Sequence, residues 1–521
     1  MQYDITIQTE PAVAADDKRL QSLIASRLEI APSEINDFRI WRKSVDARGQ
    51  RIKMNLSVKV VTGDDRKVEA LYGIRSFSPL PDDAPSMVIV GAGPAGLFAA
   101  LKCIEEGIKP ILLERGEDVD TRRRDLAMIS REGKINPTSN YCYGEGGAGA
   151  FSDGKLFTRS KKRGDNSEVL QLLVQFGASE EILIDAHPHI GSDRLPAIIR
   201  NIRETIIENG GEVHFRCKAE TLILEGGKAI GVRTSDGRDY YGAVMLANGH
   251  SAREFIRSLH SQGVKMEAKG IAMGVRLEHP QKLIDQLQYH NKEGRGKYLP
   301  AAAYSFVEQS KERGVYSFCM CPGGVIVPAG SGPEELVVNG MSASARAGER
   351  SNSGMVVEIR PGDFPEYEHL GELQLLQLQE DLERRFYSAS GNSINAPAQR
   401  MKDFVTGKKS KDLPRTSYAP GIHSEDFSML LPSFISSRLK EGFVAFDRKR
   451  KGFLTNEAIL VGLESRTSSP VRLPRDKETL EHEEISDLYP VGEGAGYAGG
   501  IVSAAVDGIN AVKAYKAKLS K

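Results

Sequence analysis

The chain has 521 residues, of which 40% are hydrophobic, and its 70 Lys and Arg side chains are balanced by 70 Asp and Glu side chains. The length excludes a peptide hormone or a disulfide-stabilised miniprotein, and the balanced charge excludes a global field that would attract nucleic acid or an anionic membrane. Five cysteines in a chain of this length do not make a disulfide framework, so we expect a reducing, cytoplasmic compartment.

The first 80 residues are predicted to form a small domain. Residues 3–8 alternate like a strand, residues 16–28 carry apolar side chains at helical spacing, and residues 38–61 indicate two strands around a turn. This order predicts a β-α-β-β unit. The segment 76–86 holds three prolines and is predicted to be a linker.

The chain after the linker predicts a doubly wound α/β domain. A strand at 87–90, a helix at 95–106 and a strand at 110–113 form a β-α-β unit of the length that a parallel crossover requires. Next come a helix at 194–209 and four further strand segments, predicted at 212–215, 219–224, 229–234 and 239–241. The apolar run 243–247 then predicts a return to the main sheet after an inserted meander.

The rest of the chain is predicted to divide into an inserted α+β domain, residues 255–454, and a return to the nucleotide-binding domain. The inserted domain is predicted to contain strands at 324–328 and 335–339 and a helix at 369–387. The returning segment, 455–521, is predicted to contain strands at 458–461 and 488–491 and a last helix at 501–518. We therefore expect residues 86–254 and 455–521 to form one domain.

A glycine motif marks the first crossover. Gly91, Gly93 and Gly96 fit the G-x-G-x-x-G pattern directly after a strand and at the start of a helix, where free N–H groups can bind a pyrophosphate. Glu114 ends the next strand, near the spacing at which a carboxylate accepts hydrogen bonds from ribose hydroxyls. The motif is compatible with NAD and with FAD. Asn248 and Glu493 each follow a later strand, and such positions favour FAD, because an acidic side chain there can bind ribitol.

The motifs as a group resemble those of the bacterial flavoproteins called FAD-dependent, or NAD(FAD)-utilising, dehydrogenases. The matching motifs are V-I-V-G-A-G-P-A-G-L-F-A-A (88–100), G-E-G-G-A-G-A-F-S-D-G-K-L (144–156), S-R-T-S-S-P-V-R (465–472) and G-E-G-A-G-Y-A-G-G-I (492–501). The resemblance covers nearly the whole chain. It implies a glutathione-reductase-like, Rossmann-like FAD-binding domain with an inserted α+β substrate domain and a small N-terminal α+β domain.

The resemblance also implies a set of FAD contacts. The residues concerned are Gly91, Gly93, Pro94, Ala95, Gly96, Glu114, Arg115, Gly146, Gly147, Gly149, Ser152, Gly154, Lys155, Leu156, Asn248, Gly249, Gly492, Glu493, Gly500 and Ile501. The sequence departs from many flavoproteins in having Ala-Asn-Gly at 247–249 in place of Ala-Thr-Gly, and Asn can make the same kind of hydrogen bond.

Five side chains are candidates for catalysis. His189 and His250 could protonate a substrate as hydride leaves flavin N5, since imidazole titrates near neutral pH. Arg466 and Arg472 could anchor a substrate carboxylate through paired hydrogen bonds. Tyr497 could stack on the flavin ring. For each of these residues an ordinary structural role is the alternative.

Cys319 and Cys321 admit two interpretations. They are either a redox pair or two thiols packed in a Pro-Gly-Gly turn. No further Cys or His stands at ligand spacing, so we expect no metal site.

The sequence thus predicts an FAD-dependent oxidoreductase that passes hydride through flavin N5 to a small organic substrate. No second G-x-G-x-x-G follows a strand, so NAD(P)H, where it is used, would visit the flavin transiently. Basic runs at 408–411 and 448–451 leave open a flavoenzyme that acts on RNA. The longest uncharged run, 87–101, is too short for a bilayer span.

Overall fold

The computed structural model describes residues 1–63, 67–157 and 164–520. Its main elements fall into three units, each built on a sheet of its own. The predicted linker is irregular as far as the strand Ser86–Val90.

The N-terminal unit is a three-stranded antiparallel sheet covered by a helix. The strands lie in the order Gln2–Thr9, Lys53–Thr62 and Ile35–Asp46, and the helices are Pro11–Ala14, Asp17–Leu28 and the short 3₁₀ turn Pro32–Glu34. Asp16 caps the main helix, because its carboxylate accepts hydrogen bonds from the N–H groups of Lys18 and Arg19. Alternate residues of the central strand are buried, as a sheet with one covered face requires. The predicted β-α-β-β order is confirmed.

The second unit is a five-stranded parallel sheet. Its strands lie in the order Leu488–Pro490, Ala243–Leu246, Ser86–Val90, Lys109–Leu113 and Glu212–His214. Helices Pro94–Glu105, Leu195–Glu208 and Ile501–Leu519 contribute to the core on one face. On the other face lie the antiparallel meander Ala219–Glu225, Lys228–Thr234 and Asp239–Tyr241 and the helix Arg253–Ser261. The predicted parallel sheet with an inserted meander is confirmed.

Four helices of this unit were not predicted. Val119–Glu132, Asn166–Gln175 and Glu181–Ile184 lie between the strands Lys109–Leu113 and Glu212–His214, and Arg253–Ser261 follows the strand Ala243–Leu246. The first of these helices is mostly polar, and one of its four buried residues is Arg122. A buried charged side chain removes the apolar spacing by which such a helix is recognised in a sequence.

The third unit is a seven-stranded sheet. Its strands lie in the order Val307–Ser310, Arg313–Cys321, Arg350–Ile359, Ile271–Pro280, Ile459–Glu464, Ala396–Arg400 and Ile422–Ser424. Pairing is antiparallel except between the last two strands. The accompanying helices are Gln281–Tyr289, the 3₁₀ segment Pro365–Leu373, Gln374–Ala389, Met401–Thr406, Phe427–Leu430 and Ser433–Lys449, and two small sheets pair Val325–Pro328 with Val338–Met341 and Glu267–Ala268 with Val471–Arg472.

Three predicted elements differ from the structure. The strand Ile459–Glu464 pairs with Ile271–Pro280 in the seven-stranded sheet, whereas the sequence placed it in the nucleotide-binding domain from residue 455 onward. An apolar six-residue strand does not reveal which sheet it joins. The strand expected at 335–339 begins at Val338, and the helix expected from 369 is 3₁₀ before Gln374.

The first and last helices of the parallel unit cross at a glycine. A Cβ at Gly508 would overlap the carbonyl oxygen of Ala95, so the two helices approach closely only because residue 508 has no side chain. By contrast, a Cβ at Gly73 would meet nothing within 4 Å.

We expect Gly508→Ala to destabilise the protein by about 1–3 kcal/mol, because the added methyl group must push the helices apart. Gly73→Ala should change stability by less than about 1 kcal/mol. Denaturant unfolding followed by circular dichroism measures both variants. Equal midpoints for the two would contradict the close crossing.

Candidate functional site

The glycine turn follows the central strand of the parallel sheet. An added Cβ atom would overlap other backbone atoms at two of its glycines but not at the third. Gly91 has a left-handed φ of 106°, and a Cβ there would overlap the carbonyl oxygen of Ala247. A Cβ at Gly96 would overlap the carbonyl oxygen of Gly91. At Gly93 the nearest atom to a Cβ is the Cα of Gly147, at 3.9 Å. The protein itself therefore has room for a side chain at residue 93, and a ligand that approaches the backbone would explain a glycine there.

Glu114 joins the glycine turn to two other segments. Its carboxylate accepts hydrogen bonds from the N–H groups of Ala92 at 3.0 Å, Gly116 at 2.9 Å and Gly144 at 3.0 Å. The side chain is buried. A carboxylate has about four acceptor positions, so Glu114 keeps capacity for one more donor.

Arg122 organises the loop that follows. Its guanidinium is fully buried and donates to five backbone carbonyl groups, those of Asn140, Tyr141, Gly144, Glu145 and Gly147. Burial lowers the pKa of Arg122 to about 10. Sequence reasoning missed this residue, which stands in a run of three arginines.

The glycine-rich loop 144–156 runs from the glycine turn to the seven-stranded unit. Gly146 donates its N–H to the carbonyl group of Ala92 at 2.8 Å, and Gly146, Gly147 and Gly154 all have left-handed φ. Ser152 donates to the carbonyl group of Gly149 at 2.8 Å. The side chain of the buried Leu156 packs in the core of the parallel unit.

The glycine turn near the C-terminus packs against the first glycine turn. The N–H of Gly492 donates to Asp507 at 2.8 Å, and a Cβ at Gly492 would lie 3.2 Å from the Cβ of Ala95. Gly500 is the N-cap of the last helix. A Cβ at Gly149 would lie 3.3 Å from the side chain of Ile501, so the loop 144–156 also contacts the start of this helix.

The parallel strands place the predicted residues at one edge. Glu114 and Arg115 follow the strand Lys109–Leu113, while Asn248 and His250 follow the strand Ala243–Leu246. Because parallel strands end on the same side, all of these lie at the carboxyl edge of the sheet, where the chain crosses from one side of the central strand to the other. Three buried atoms here have no hydrogen-bond partner within the described residues: Arg115 Nε, Asn248 Oδ1 and His250 Nε2.

His250 forms a pair with Glu493. The imidazole Nδ1 lies 3.1 Å from the carboxylate of Glu493. His250 is one of the residues that line a cavity between the parallel unit and the seven-stranded unit. The other lining residues are Tyr141, Cys142, Ala148, Phe151, Ser152, Val327, Ala329, Val337, Val338, Asn339, Gly340, Glu464 and Arg466. The sequence analysis assigned His250 and Glu493 separate roles and did not indicate that the two side chains form a pair.

Arg466 lines the cavity, but its positive charge is paired with buried carboxylates. It forms ion pairs with Glu335 and, at 2.8 Å, with Glu383, and Glu383 also binds Arg253 at 2.7 Å. Burial alone would raise the pKa of Glu383, but the two guanidinium groups beside it lower that pKa overall. The charge of Arg466 is thus already balanced, which weighs against the predicted anchor for a substrate carboxylate.

The other candidates lie outside the residues that line this cavity. His189 contacts the carbonyl group of Ser344 at 3.0 Å, and burial together with nearby Arg346 lowers its pKa. Arg472 forms an exposed ion pair with Glu267. Tyr497 donates to the carbonyl group of Leu473 at 2.9 Å and lies against Arg475.

Two of the predicted cofactor contacts have other neighbours. Lys155 lies 3.1 Å from Asp153 and also approaches the sulfur atoms of Cys319 and Cys321. Arg115 stacks its guanidinium over the ring of Tyr143, 3.9 Å from the ring centre.

Within residues 1–63, 67–157 and 164–520, no helix combines the length and hydrophobicity needed to cross a membrane. The same residues contain no group of three or more His, Cys, Asp or Glu that could hold a metal ion.

Two family models match the chain. Residues 270–467 match the family described as FAD-dependent protein, C-terminal domain-like, and residues 1–61 match a domain of unknown function, DUF8436. An uncharacterized protein of Clostridium beijerinckii is 41% identical over 507 residues, which cover 94% of each chain. Prolycopene isomerase of Arabidopsis thaliana is 31% identical over 51 residues, 10% of this chain and 9% of that protein.

Solved structures show weaker likenesses. Tetracycline destructase Tet(51) has a TM-score of 0.35 at 12% identity, covering 84% of this chain and 83% of that one. A 3-ketosteroid dehydrogenase from Rhodococcus jostii has a TM-score of 0.34 at 13% identity, covering 86% and 100%. At these scores the likenesses assign neither a detailed fold nor a substrate.

We expect Glu383→Gln to destabilise the protein by about 3–5 kcal/mol at pH 7, because two buried guanidinium groups lose a shared carboxylate. The folded-state pKa of Glu383 is depressed, so its stabilisation is present above the unfolded pKa, near 4.5, and is lost as pH falls below it. The difference from wild type should therefore shrink in acid.

Glu483→Gln is the matched control, since Glu483 forms an exposed ion pair with Lys265 and should contribute less than about 1 kcal/mol. Urea unfolding at several pH values measures both variants. A wild-type-like midpoint for Glu383→Gln at pH 7 would contradict the network.

Proposed function

We propose that this chain, which belongs to the same family as the uncharacterized Clostridium beijerinckii protein, is an FAD-dependent oxidoreductase. The match of residues 270–467 to the family described as FAD-dependent protein, C-terminal domain-like, supports the proposal. The observation that carries the proposal is the carboxyl edge of the parallel sheet. At this edge the glycine turn has room for a ligand at Gly93, and three buried polar atoms nearby have no hydrogen-bond partner within the described residues. Natural proteins rarely leave buried polar atoms unpaired, so such atoms indicate a missing ligand.

The residues at this edge fit a dinucleotide. We assign the pyrophosphate to the backbone of residues 91–96 and the adenosine ribose to the free acceptor position of Glu114. The loop 146–156 would lie along the cofactor. Asn248, Gly249, Gly492 and Glu493 would hold the ribityl chain, and Gly500 and Ile501 would hold the flavin end, where the N-terminus of a helix favours negative charge.

FAD, when bound, would supply a carrier that accepts and returns a hydride. We propose that the chain itself contributes proton transfer, through the Nε2 atom of His250. Glu493 orients the imidazole through Nδ1, which leaves Nε2 to donate a proton to a substrate or to accept one from it. His250 is therefore our catalytic candidate, while His189, Arg472 and Tyr497 have structural contacts outside the cavity.

We propose that a small organic substrate binds at the cavity, which has a volume of about 30 Å³, close to that of one water molecule, and must widen to admit it. Its walls are largely apolar, with Tyr141 and Phe151 among them, and Ser152 and Asn339 are polar groups that could orient a ligand. Since Arg466 is balanced by two carboxylates, we propose recognition by shape and hydrogen bonds. NAD(P)H remains our proposed transient donor.

The basic runs do not favour RNA. Lys409 pairs with Glu425 at 3.2 Å, and Lys449 and Lys451 pair with Glu308 and Asp447 at 3.0 and 3.3 Å. Local carboxylates thus pair with three of the seven basic side chains in the two runs, which is compatible with solvated charged loops. We therefore advance no nucleic-acid function.

We expect the purified protein to be yellow and Gly93→Val to be colourless but folded, because the branched side chain would occupy the space next to the backbone that we assign to the pyrophosphate. Visible absorbance, the FAD released on denaturation and circular dichroism are the measurements. Gly73→Val is the control and should retain FAD. Stoichiometric FAD in Gly93→Val would defeat the assignment.

We expect His250→Gln to keep its FAD and to reduce acceptors about 100-fold more slowly, since general acid–base catalysis contributes roughly 10²–10⁴-fold. Anaerobic reduction with NADH or NADPH, followed by a screen of organic oxidants, supplies the assay. His260→Gln is the control, because His260 is exposed and pairs with Glu372 on the surface. Equal rates of acceptor reduction in the two variants would show that His250 has no catalytic role.

A further inference from the structure

Cys319 and Cys321 lie at an irregular end of the strand Arg313–Cys321. The register with the neighbouring strand shifts between Phe318 and Cys321, and Cys319 has a left-handed φ of 47°. Arg276 donates to the carbonyl group of Cys319 at 2.8 Å and so holds this unusual backbone. The thiol of Cys321 reaches the same carbonyl group at 3.4 Å. The bulge therefore brings the two cysteines together.

Two cations contact the sulfur atoms. Lys155 Nζ lies 3.9 Å from the Cys319 sulfur and 3.7 Å from the Cys321 sulfur. Arg276 Nη2 lies 3.4 Å from the Cys321 sulfur. Neighbouring positive charge stabilises a thiolate relative to a thiol.

The charges around the pair do not balance without a thiolate. Lys155 and Arg346 both contact Asp153, and Arg276 forms a fully buried ion pair with Glu464 at 3.0 Å. Three cations thus face two carboxylates, and burial raises the pKa of Glu464 to about 7.

The remaining titratable neighbours add no negative charge at neutral pH. Burial lowers the pKa of His189 and raises that of Tyr304, so both are uncharged. With Glu464 ionised, one thiolate would make the cluster neutral.

We propose that Cys319 and Cys321 form a redox-active dithiol, in which Cys319 is the attacking thiolate and small disulfides are the co-reactant. The Cys319 sulfur attacks one sulfur of the disulfide, the disulfide bond breaks, and one thiolate leaves. Cys321 then loses its proton to solvent and attacks the Cys319 sulfur, which forms the Cys319–Cys321 bond and expels the second thiolate. The two cysteines lose two electrons, and the disulfide gains them.

The electrostatics support this order. The neighbouring Cys321 side chain, together with Lys155 and Arg276, lowers the pKa of Cys319, and the neighbouring Cys319 side chain and burial raise the pKa of Cys321. Access is possible because Cys319 is only partly buried and the Lys155 side chain is 36% exposed. Cys103 and Cys217 are buried and serve as internal references.

Alkylation with iodoacetamide tests the thiolate. At pH 6 we expect Cys319 to react about tenfold faster than an ordinary exposed thiol, after allowance for the lower nucleophilicity of a stabilised thiolate. Lys155→Gln should shift the pH midpoint of the Cys319 reaction upward, Lys155→Arg should restore it, and Lys265→Gln should leave it unchanged. Peptide mass spectrometry measures each rate.

Exchange with glutathione disulfide tests the pair. In the wild type we expect a Cys319–Cys321 disulfide, and in Cys321→Ser a stable mixed disulfide on Cys319. These measurements read the thiols directly, and each is made on the protein with FAD and on the protein stripped of FAD, so that a failure of the dithiol proposal is distinguished from a failure of the FAD assignment. The proposal is overturned if Cys319 reacts no faster than the thiol standard, if Lys155→Gln leaves the midpoint unchanged, or if no disulfide forms between the two cysteines.

Discussion

The candidate site depends on one buried carboxylate. The carboxylate of Glu114 accepts hydrogen bonds from N–H groups of the glycine turn, of Gly116 two residues further along the chain, and of the loop 144–156. Backbone groups away from water need partners, and a loop cannot supply them through a regular ladder. Arg122 complements Glu114 by donating to the carbonyl groups of Gly144, Glu145 and Gly147 in the same loop. One anion and one cation thus fix an irregular segment from its N–H and C=O sides.

A second ionic group fixes the relation between the two large units. Arg253 begins the helix that packs on the parallel sheet, while Glu383 lies on the helix Gln374–Ala389 beside the seven-stranded sheet. Arg466 joins both through Glu383 and reaches the cavity wall. Buried charges tolerate little displacement, because each lost partner leaves an uncompensated charge. The cavity between the units is therefore held by directional contacts as well as by apolar packing.

The sequence was sufficient for features that depend on local spacing. The glycine motif, the strands around it and the last helix follow from patterns a few residues long, and the structure has them at nearly the predicted bounds. Relations over long separations were not accessible. His250 and Glu493 are far apart in the chain, and among the three arginines 122–124 only packing decides which one is buried. The strand Ile459–Glu464 is apolar enough for either sheet, and its partner decides where it belongs.

The parallel unit has a further property that concerns its synthesis. The strand Leu488–Pro490 completes the parallel sheet, and the helix Ile501–Leu519 completes the helical layer on one of its faces. The other strands and helices of these two layers precede residue 247. At roughly 5–20 residues per second, a ribosome needs about 20–80 seconds between the helix Pro94–Glu105 and its partner at the C-terminus. During that interval the part of the earlier helix that contacts the C-terminal helix has no native cover. Nascent chains of this protein should therefore require chaperone protection until translation is nearly finished.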